Sequence, residues 1–164
     1  MKRGKKFKLI KIVSVLAILL SLFLIYEHYD PTPSQFCTFG ESFDCNVVNK
    51  SPYSNIDGVF YFLGFNLGLP VPLLNIPIPV AAVSVLVFLY VFLSAGAIEK
   101  KKNLVGIKPA RQLKILKWLM ALSILFALYL FYIEKFILLM YCIFCIALDV
   151  LIFINAMLIY GVKK

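Results

Sequence analysis

Four long apolar stretches, separated by polar or basic segments, restrict this sequence to a small set of folds. They cover about residues 9–26, 79–97, 115–132 and 136–160. Each is close to the roughly 20 residues that cross a hydrocarbon core as a helix. Hydrophobic residues make up 62% of the chain and its mean hydropathy is +0.93, well above the apolar share of soluble domains. We therefore predict an all-α integral membrane protein, a four-transmembrane-helix bundle that forms a single domain over residues 1–164.

The distribution of charge predicts how the chain lies in the lipid bilayer. The formal net charge is +9, but the basic residues concentrate at residues 2–11, 100–117 and 163–164, which argues against a nucleic acid partner. Lys and Arg in short loops mark the cytoplasmic side. We therefore expect a multi-pass protein of the cell membrane with cytoplasmic N- and C-termini. Residues 27–57, which form an extracytoplasmic loop, and residues 134–135 are expected on the outer side.

Two segments before the second span are less regular. The first apolar stretch begins like a secretory signal peptide, but its length and the absence of a cleavage pattern after Tyr26 favour a retained anchor. An apolar segment before the second span is interrupted by glycines and prolines, namely Gly64, Gly68, Pro70, Pro72, Pro77 and Pro79. Irregular backbone at membrane depth must be covered by protein or line a cavity. We predict a short half-inserted helix near residues 54–66, within an outer region that extends to residue 78. The alternative is a loop on the membrane surface.

The four cysteines form two pairs in different surroundings. Cys37 and Cys45 lie in the polar loop, whereas Cys142 and Cys145 form a C-x-x-C motif. Cys142 precedes the interfacial Tyr160 by 18 residues, or roughly 27 Å of helix at about 1.5 Å per residue. In a hydrocarbon core about 30 Å thick, that distance places the motif near the outer boundary, on the oxidising side where disulfides persist. Because thiolates attack disulfides through mixed disulfides, two such pairs can form an electron relay.

Two other interpretations of the cysteines were considered. The first is a zinc site, but structural zinc sites have four ligands, and the single histidine, His28, does not complete a set. We therefore predict no metal. The second is a non-catalytic four-span membrane scaffold whose structural disulfides brace its outer face. Redox titration separates this from a relay, because a structural disulfide resists mild dithiols whereas a relay equilibrates with them. Transport is a weaker alternative, since one intramembrane charge is evident.

That charge is Asp149, deep in the fourth predicted span. An acid at the bilayer centre costs roughly 2.5–3.5 kcal/mol on insertion scales, and such residues are usually functional or paired. Cys142, Cys145 and Asp149 have i, i+3 and i+7 spacing, which places them on one helix face. A neutral acid there could hydrogen-bond a quinone carbonyl or supply a proton; alternatively, a polar group of another helix satisfies it. Asn155, further along, is interpreted as a helix–helix hydrogen bond.

The sequence CNVVNKSPYSNIDG, from Cys45 to Gly58, resembles the vitamin K epoxide reductase family when taken with Cys37 and the C-x-x-C motif. The match covers nearly the whole chain, and the combination is specific although no single element is. Prokaryotic members oxidise thioredoxin-fold partners and reduce quinones. The resemblance implies a four-helix bundle around a quinone, with a short half-helix that caps the quinone site on the outer side.

The resemblance also implies residue roles. Cys37 would meet a separate thioredoxin-fold, DsbA-like thiol partner. Cys45 would exchange with Cys142, and Cys145 would lie closest to a quinone of the ubiquinone or menaquinone type. Ser51 matches the family's loop serine near the active centre. The implied activity is a membrane thiol oxidase and quinone reductase that supports disulfide formation in exported proteins.

This chain departs from the family pattern at three points. Vertebrate members hold the quinone oxygens with an asparagine early in span two and a tyrosine after the C-x-x-C motif. Ungapped counting places Ile78 at the position of the asparagine, with Asn75 nearby, and Asp149 at the position of the tyrosine. These differences weaken the expectation that vitamin K epoxide is the substrate. A fused thioredoxin-like domain is common in bacterial members, but here we expect the thiol partner to be a separate protein. The unrelated DsbB-type oxidases also have four spans and two cysteine pairs, but there the C-x-x-C motif comes first.

Overall fold

Four long helices make up most of the computed structural model. It describes residues 3–31, 38–39, 42–56, 58, 78–104 and 106–162. The helices are α1 (Arg3–Tyr29), α2 (Cys45–Asn49), α3 (Val80–Glu99), α4 (Pro109–Ile133) and α5 (Ile143–Tyr160). Shorter elements are the antiparallel strands β1 (Thr38–Phe39) and β2 (Phe43–Asp44), a 3-10 turn at Pro52–Ser54 and a π turn at Glu134–Leu138.

The long helices have the length and composition of membrane spans. This holds for α1, α3, α5 and α4 together with its π turn. Large apolar side chains cover their outer surfaces, among them Leu86, Trp118, Leu122 and Met157, each more than 60% exposed. Such a surface is suited to lipid. The predicted all-α membrane fold with four spanning helices is therefore confirmed. The predicted half-helix falls largely outside the described residues, as do Cys37 and Asn75.

The four long helices pack in a ring, in which α1 and α4 each contact both α3 and α5. Small side chains let these helices approach closely: Ser14 and Ala17 on α1 and Ala95 on α3 are fully buried. The Asn155 amide of α5 donates a hydrogen bond to the Ser14 hydroxyl at 3.4 Å. The interpretation of Asn155 as a helix–helix hydrogen bond is therefore confirmed.

Basic residues lie at one end of this bundle and the described cysteines at the other. At the basic end, the Lys11 ammonium of α1 and the Glu99 carboxylate of α3 form an ion pair at 2.7 Å. The Tyr160 hydroxyl of α5 donates to the Lys117 carbonyl of α4 at 3.0 Å. At the cysteine end, α2 lies beside the last turns of α1 and α4 and the first turns of α3 and α5.

The fourth helix begins later than the sequence suggested. We expected a tight turn on the outer side at residues 134–135 and a span from about Phe136, but α5 begins at Ile143. The reason is that α4 runs directly into the π turn, and Leu139 then reverses the chain in a left-handed conformation with φ 53°. Glu134 consequently lies inside the protein, with only 4% of its surface exposed.

Candidate functional site

A short backbone pairing joins the outer loop to the start of α5. Phe43 and Tyr141 form a parallel bridge, and their rings pack at a centroid distance of 5.7 Å. The Asp44 N–H group donates to the Tyr141 carbonyl at 3.2 Å. Because Cys45 follows Asp44 and Cys142 follows Tyr141, this pairing brings the two cysteine-bearing segments side by side.

Cys45 is held at the first position of α2. Asp44 caps this helix, since its Oδ1 accepts hydrogen bonds from the N–H groups of Asn46 at 2.8 Å and Val47 at 3.3 Å, which would otherwise lack partners. Cys45 is disulfide-bonded and 2% exposed. Cys37, the other cysteine of the loop, lies outside the described residues.

The C-x-x-C motif occupies the first turn of α5. Cys142 is the N-cap residue, and its Sγ accepts a hydrogen bond from the Cys145 N–H group at 3.2 Å. Both are free thiols; Cys142 is fully buried and Cys145 is half-buried. The spacing of three residues thus lets one sulfur satisfy a backbone donor at the helix start, where N–H groups have no helical partner.

Cys45 and Cys142 belong to the same buried cluster of apolar side chains. Leu24 of α1, Ala127 of α4 and neighbouring residues complete the cluster, and Cys145 packs against it. The structure therefore places the two cysteines that were expected to exchange in one apolar cluster. They lie away from water at the point where the loop meets the bundle.

A cavity of about 80 Å³ lies beside the Cys145 thiol. Most of its wall is apolar, but Ser51, Tyr53, Glu134 and Asp149 also line it. Cys145 and Asp149 are four residues apart on α5, so both face the cavity as their spacing predicts. Cys142, which caps the helix, does not line this cavity.

A larger apolar cavity of about 350 Å³ adjoins the first one between α3 and α4. The two share Val80, Ser84, Phe126 and Ile152 as wall residues. Leu122 lines the larger cavity and is 65% exposed on the outer face of α4. This second cavity is therefore accessible from the side of the bundle that is suited to lipid.

Ser51, the loop serine expected near the active centre, forms a hydrogen bond with the backbone of α2. Ser51 is buried, and its hydroxyl donates to the Val48 carbonyl at 2.8 Å while it lines the smaller cavity. The turn that follows requires a glycine at position 58, because a Cβ there would lie 1.8 Å from the Pro52 carbonyl oxygen. Gly58 therefore lies in close backbone contact with Pro52, the residue between Ser51 and Tyr53, which both line the cavity.

Two polar groups at the site were missed by the sequence analysis. Asn49 is buried, and its amide donates to the Leu24 carbonyl at 2.8 Å. The Asn49 carbonyl in turn accepts from His28 Nδ1 at 2.6 Å, so α2 is anchored to the last turn of α1. No sequence pattern marks this contact, because its partners are more than 20 residues apart.

The second missed group is Glu134. Its Oε2 accepts a hydrogen bond from the Cys142 N–H group at 3.3 Å, and its side chain lines the smaller cavity with Cys145. An adjacent Glu and Lys typically indicate a solvated turn, and that pattern concealed the burial of Glu134. The sequence signal that could have identified Glu134 is the presence of an acidic residue eight positions before the C-x-x-C motif. Within the described part of the chain, no group of three or more His, Cys, Asp or Glu side chains is arranged to hold a metal ion.

Comparison with known proteins agrees with this arrangement. The sequence model of the vitamin K epoxide reductase family matches residues 8–160, from the first turns of α1 to the end of α5. No curated protein matches the chain. The family match covers all the cysteines and both acids of the cavity.

Proposed function

The chain belongs to the vitamin K epoxide reductase family and is a multi-pass membrane oxidoreductase, and we propose that it passes electrons from a thiol partner to a membrane quinone. The partner is a separate thioredoxin-fold protein of the DsbA type. Its oxidised form then makes disulfides in exported proteins. The single observation that carries this proposal is the shared buried cluster of Cys45 and Cys142, beside a cavity lined by Cys145.

The cysteine end of the bundle faces the extracytoplasmic side in this proposal. Support comes from the opposite end, where Lys11 and Lys117 belong to the basic segments of the chain. Basic residues near the ends of spans favour the cytoplasmic side. The outer compartment is also the one in which exported proteins acquire disulfides.

The relay begins with attack of a partner thiolate on a Cys37–Cys45 disulfide, in which Cys37 forms the mixed disulfide and Cys45 leaves. A second partner thiol then releases the oxidised partner. Next, Cys45 attacks Cys142 of an oxidised C-x-x-C pair, and Cys145 leaves. Attack of Cys37 on Cys45 completes the exchange and regenerates the loop disulfide. The backbone pairing of Phe43 with Tyr141 supports this step, because it keeps the two segments in register.

The described state corresponds to the stage after this exchange. Cys45 is disulfide-bonded, while Cys142 and Cys145 are thiols. The C-x-x-C pair then holds the two electrons, and its reoxidation to a disulfide releases two electrons and two protons. In this proposal a bound quinone would accept the two electrons and the two protons.

The two adjoining cavities have the polarity that a membrane quinone requires. The smaller cavity, about 80 Å³, is below the roughly 150 Å³ of an engineered cavity that binds benzene. The quinone ring therefore needs the combined space of the two adjoining cavities. The apolar groove between α3 and α4 suits the isoprenoid tail of the quinone. In this proposal Asp149 hydrogen-bonds a quinone oxygen and Ser51 shapes the polar wall, and their position in the lining of the smaller cavity supports it. Asn75, outside the described residues, remains our candidate for the other oxygen.

An anaerobic assay of the membrane-embedded protein tests this function. Wild-type protein should oxidise many equivalents of a reduced thioredoxin-fold partner when a quinone is added. Cys145→Ser should oxidise about one equivalent through its loop disulfide and then stop, because the electrons have no onward path. That initial equivalent is the internal control for folding. Continued turnover by Cys145→Ser would refute the proposed order of the relay.

A further inference from the structure

Glu134 is a buried acid for which the relay described above provides no role. It begins the π turn that follows α4 and is 4% exposed. Lys135, the next residue, turns outward, with its ammonium over the Phe136 ring at 5.4 Å. Among the described residues, no Lys or Arg side chain forms an ion pair with Glu134. An isolated buried carboxylate is unfavourable, and holding a proton removes that penalty.

The surroundings of Glu134 place its side chain beside the C-x-x-C pair. Its Oε2 accepts the Cys142 N–H group at 3.3 Å. The Glu134 and Cys145 side chains line the same cavity. The described titratable groups on that wall are Tyr53, Glu134, Cys145 and Asp149, and none comes from α1 or α3. Glu134 is the one held against the pair by a backbone hydrogen bond.

We infer that Glu134 donates a proton to Cys145 as Cys145 leaves the C-x-x-C disulfide. This inference rests on the proposed relay for the identity of the attacking thiolate. The Cys45 sulfur forms a bond to Cys142, the bond from Cys142 to Cys145 breaks, and its electron pair remains on Cys145. The Cys145 sulfur takes the proton from the Glu134 carboxyl. Cys45 leaves the loop disulfide already as a thiolate, and the partner releases a proton as each of its thiols becomes a thiolate. One of these protons restores Glu134 and the other is available to Cys142, so no net charge accumulates.

This proton transfer would lower the cost of forming a thiolate when a buried disulfide is cleaved. A leaving thiolate in an apolar cluster has no water to stabilise it, and leaving-group basicity limits thiol–disulfide exchange. Asp149 lies on the following turn of α5, deeper in the bundle, where it faces the quinone cavity rather than the Cys142 backbone. Both acids line the cavity with Cys145, but Glu134 alone of the two also accepts the Cys142 N–H group, so we assign Glu134 to exchange and Asp149 to the quinone.

The test separates proton donation from positioning. Full-length wild type, Glu134→Gln, Glu134→Ala and Glu134→Asp are first oxidised and then exposed to dithiothreitol without quinone or partner. Samples are quenched in acid, and the thiols of Cys142 and Cys145 are labelled and quantified by peptide mass spectrometry over time. A glutamine oxygen accepts the Cys142 N–H group as a carboxylate does, but the amide has no acidic proton to give.

We expect Glu134→Gln and Glu134→Ala both to reduce the C-x-x-C disulfide at least 10-fold more slowly than wild type. Glu134→Asp should recover part of the rate. The control Glu99→Gln, which removes an acid at the basic end of the bundle, should match wild type. A wild-type rate in Glu134→Gln, whether or not Glu134→Ala is slow, would overturn the inference.

The result is independent of the quinone proposal. If wild type fails to turn over with quinone while Glu134→Gln still slows disulfide reduction, the proposed function fails and the role of Glu134 remains. If quinone turnover is observed but the four proteins are reduced at equal rates, only the role of Glu134 is lost.

Discussion

At the basic end of the bundle, polar side chains form contacts between neighbouring helices. The interior there is filled by large apolar residues such as Phe7, Leu116 and Met120. At the cysteine end, the interior contains two cavities and free thiols, and the acids Glu134 and Asp149 line one of these cavities. Dense packing favours stability, whereas functional sites often retain features that oppose it. The comparison suggests that the basic end holds the bundle together and the cysteine end carries the chemistry.

Truncation of a core residue at the basic end should produce the largest change in stability. Leu116 is 1% exposed, so Leu116→Ala should lower the free energy of unfolding by about 2–5 kcal/mol through the cavity it leaves. Turnover per folded molecule should be unchanged. Thermal unfolding in detergent measures the first quantity. Leu125→Ala, at a site 65% exposed, is the matched control, and a loss of catalysis with intact stability in Leu116→Ala would break the comparison.

At the cysteine end, Asp149→Asn should have the converse effect. We expect quinone reduction to fall about 100-fold, since general acid–base groups typically contribute 10²–10⁴-fold. Unfolding should be little affected, and exchange between Cys45 and Cys142 should continue. Single-turnover quinone absorbance measures the loss. Asp149→Glu should recover part of it, and full activity in Asp149→Asn would remove Asp149 from the site.

The turn over the cavity should be sensitive to a single methyl group. In Gly58→Ala the new Cβ would meet the Pro52 carbonyl oxygen at 1.8 Å, so the backbone must shift, at about 1–3 kcal/mol for such overpacking. We expect a several-fold rise in the quinone KM, because Ser51 and Tyr53 move with the turn. Gly96→Ala, where no atom lies within 4 Å, is the control. Equal kinetics in both variants would show that this turn does not shape the cavity.

The ion pair at the basic end should matter least. Lys11 and Glu99 are 29% and 27% exposed, and partly exposed pairs contribute about 0–1 kcal/mol. A double-mutant cycle of Lys11→Met and Glu99→Gln should give a coupling energy in that range. A coupling of several kcal/mol would show that the ion pair, rather than apolar packing, stabilises the basic end.

The membrane fold was predictable because hydropathy and span length act locally along the chain. The four long helices follow from it, as does the Asn155 contact, since polar groups in spans usually pair. The start of α5 was not predictable, because apolar residues from Phe136 onward fit a helix or a turn equally well at membrane depth. The left-handed Leu139 has no local marker such as glycine.

The arrangement of the site was only partly predictable. Spacing alone placed Cys145 and Asp149 on one face, and the structure places both on the cavity wall. The register between Phe43 and Tyr141 depends on backbone atoms almost 100 residues apart, which no periodicity encodes. Glu134 was missed for a related reason, since its burial follows from the π turn rather than from its neighbours in sequence.

The pairing of Phe43 with Tyr141 has a consequence for the redox cycle. Its hydrogen bond and ring contact involve no sulfur, so they persist whether the loop is oxidised or reduced. In the proposed relay, the loop would lose its covalent crosslink during each cycle, and this pairing would keep it docked on the membrane domain. We therefore expect the protein to accept a new partner without refolding its outer surface.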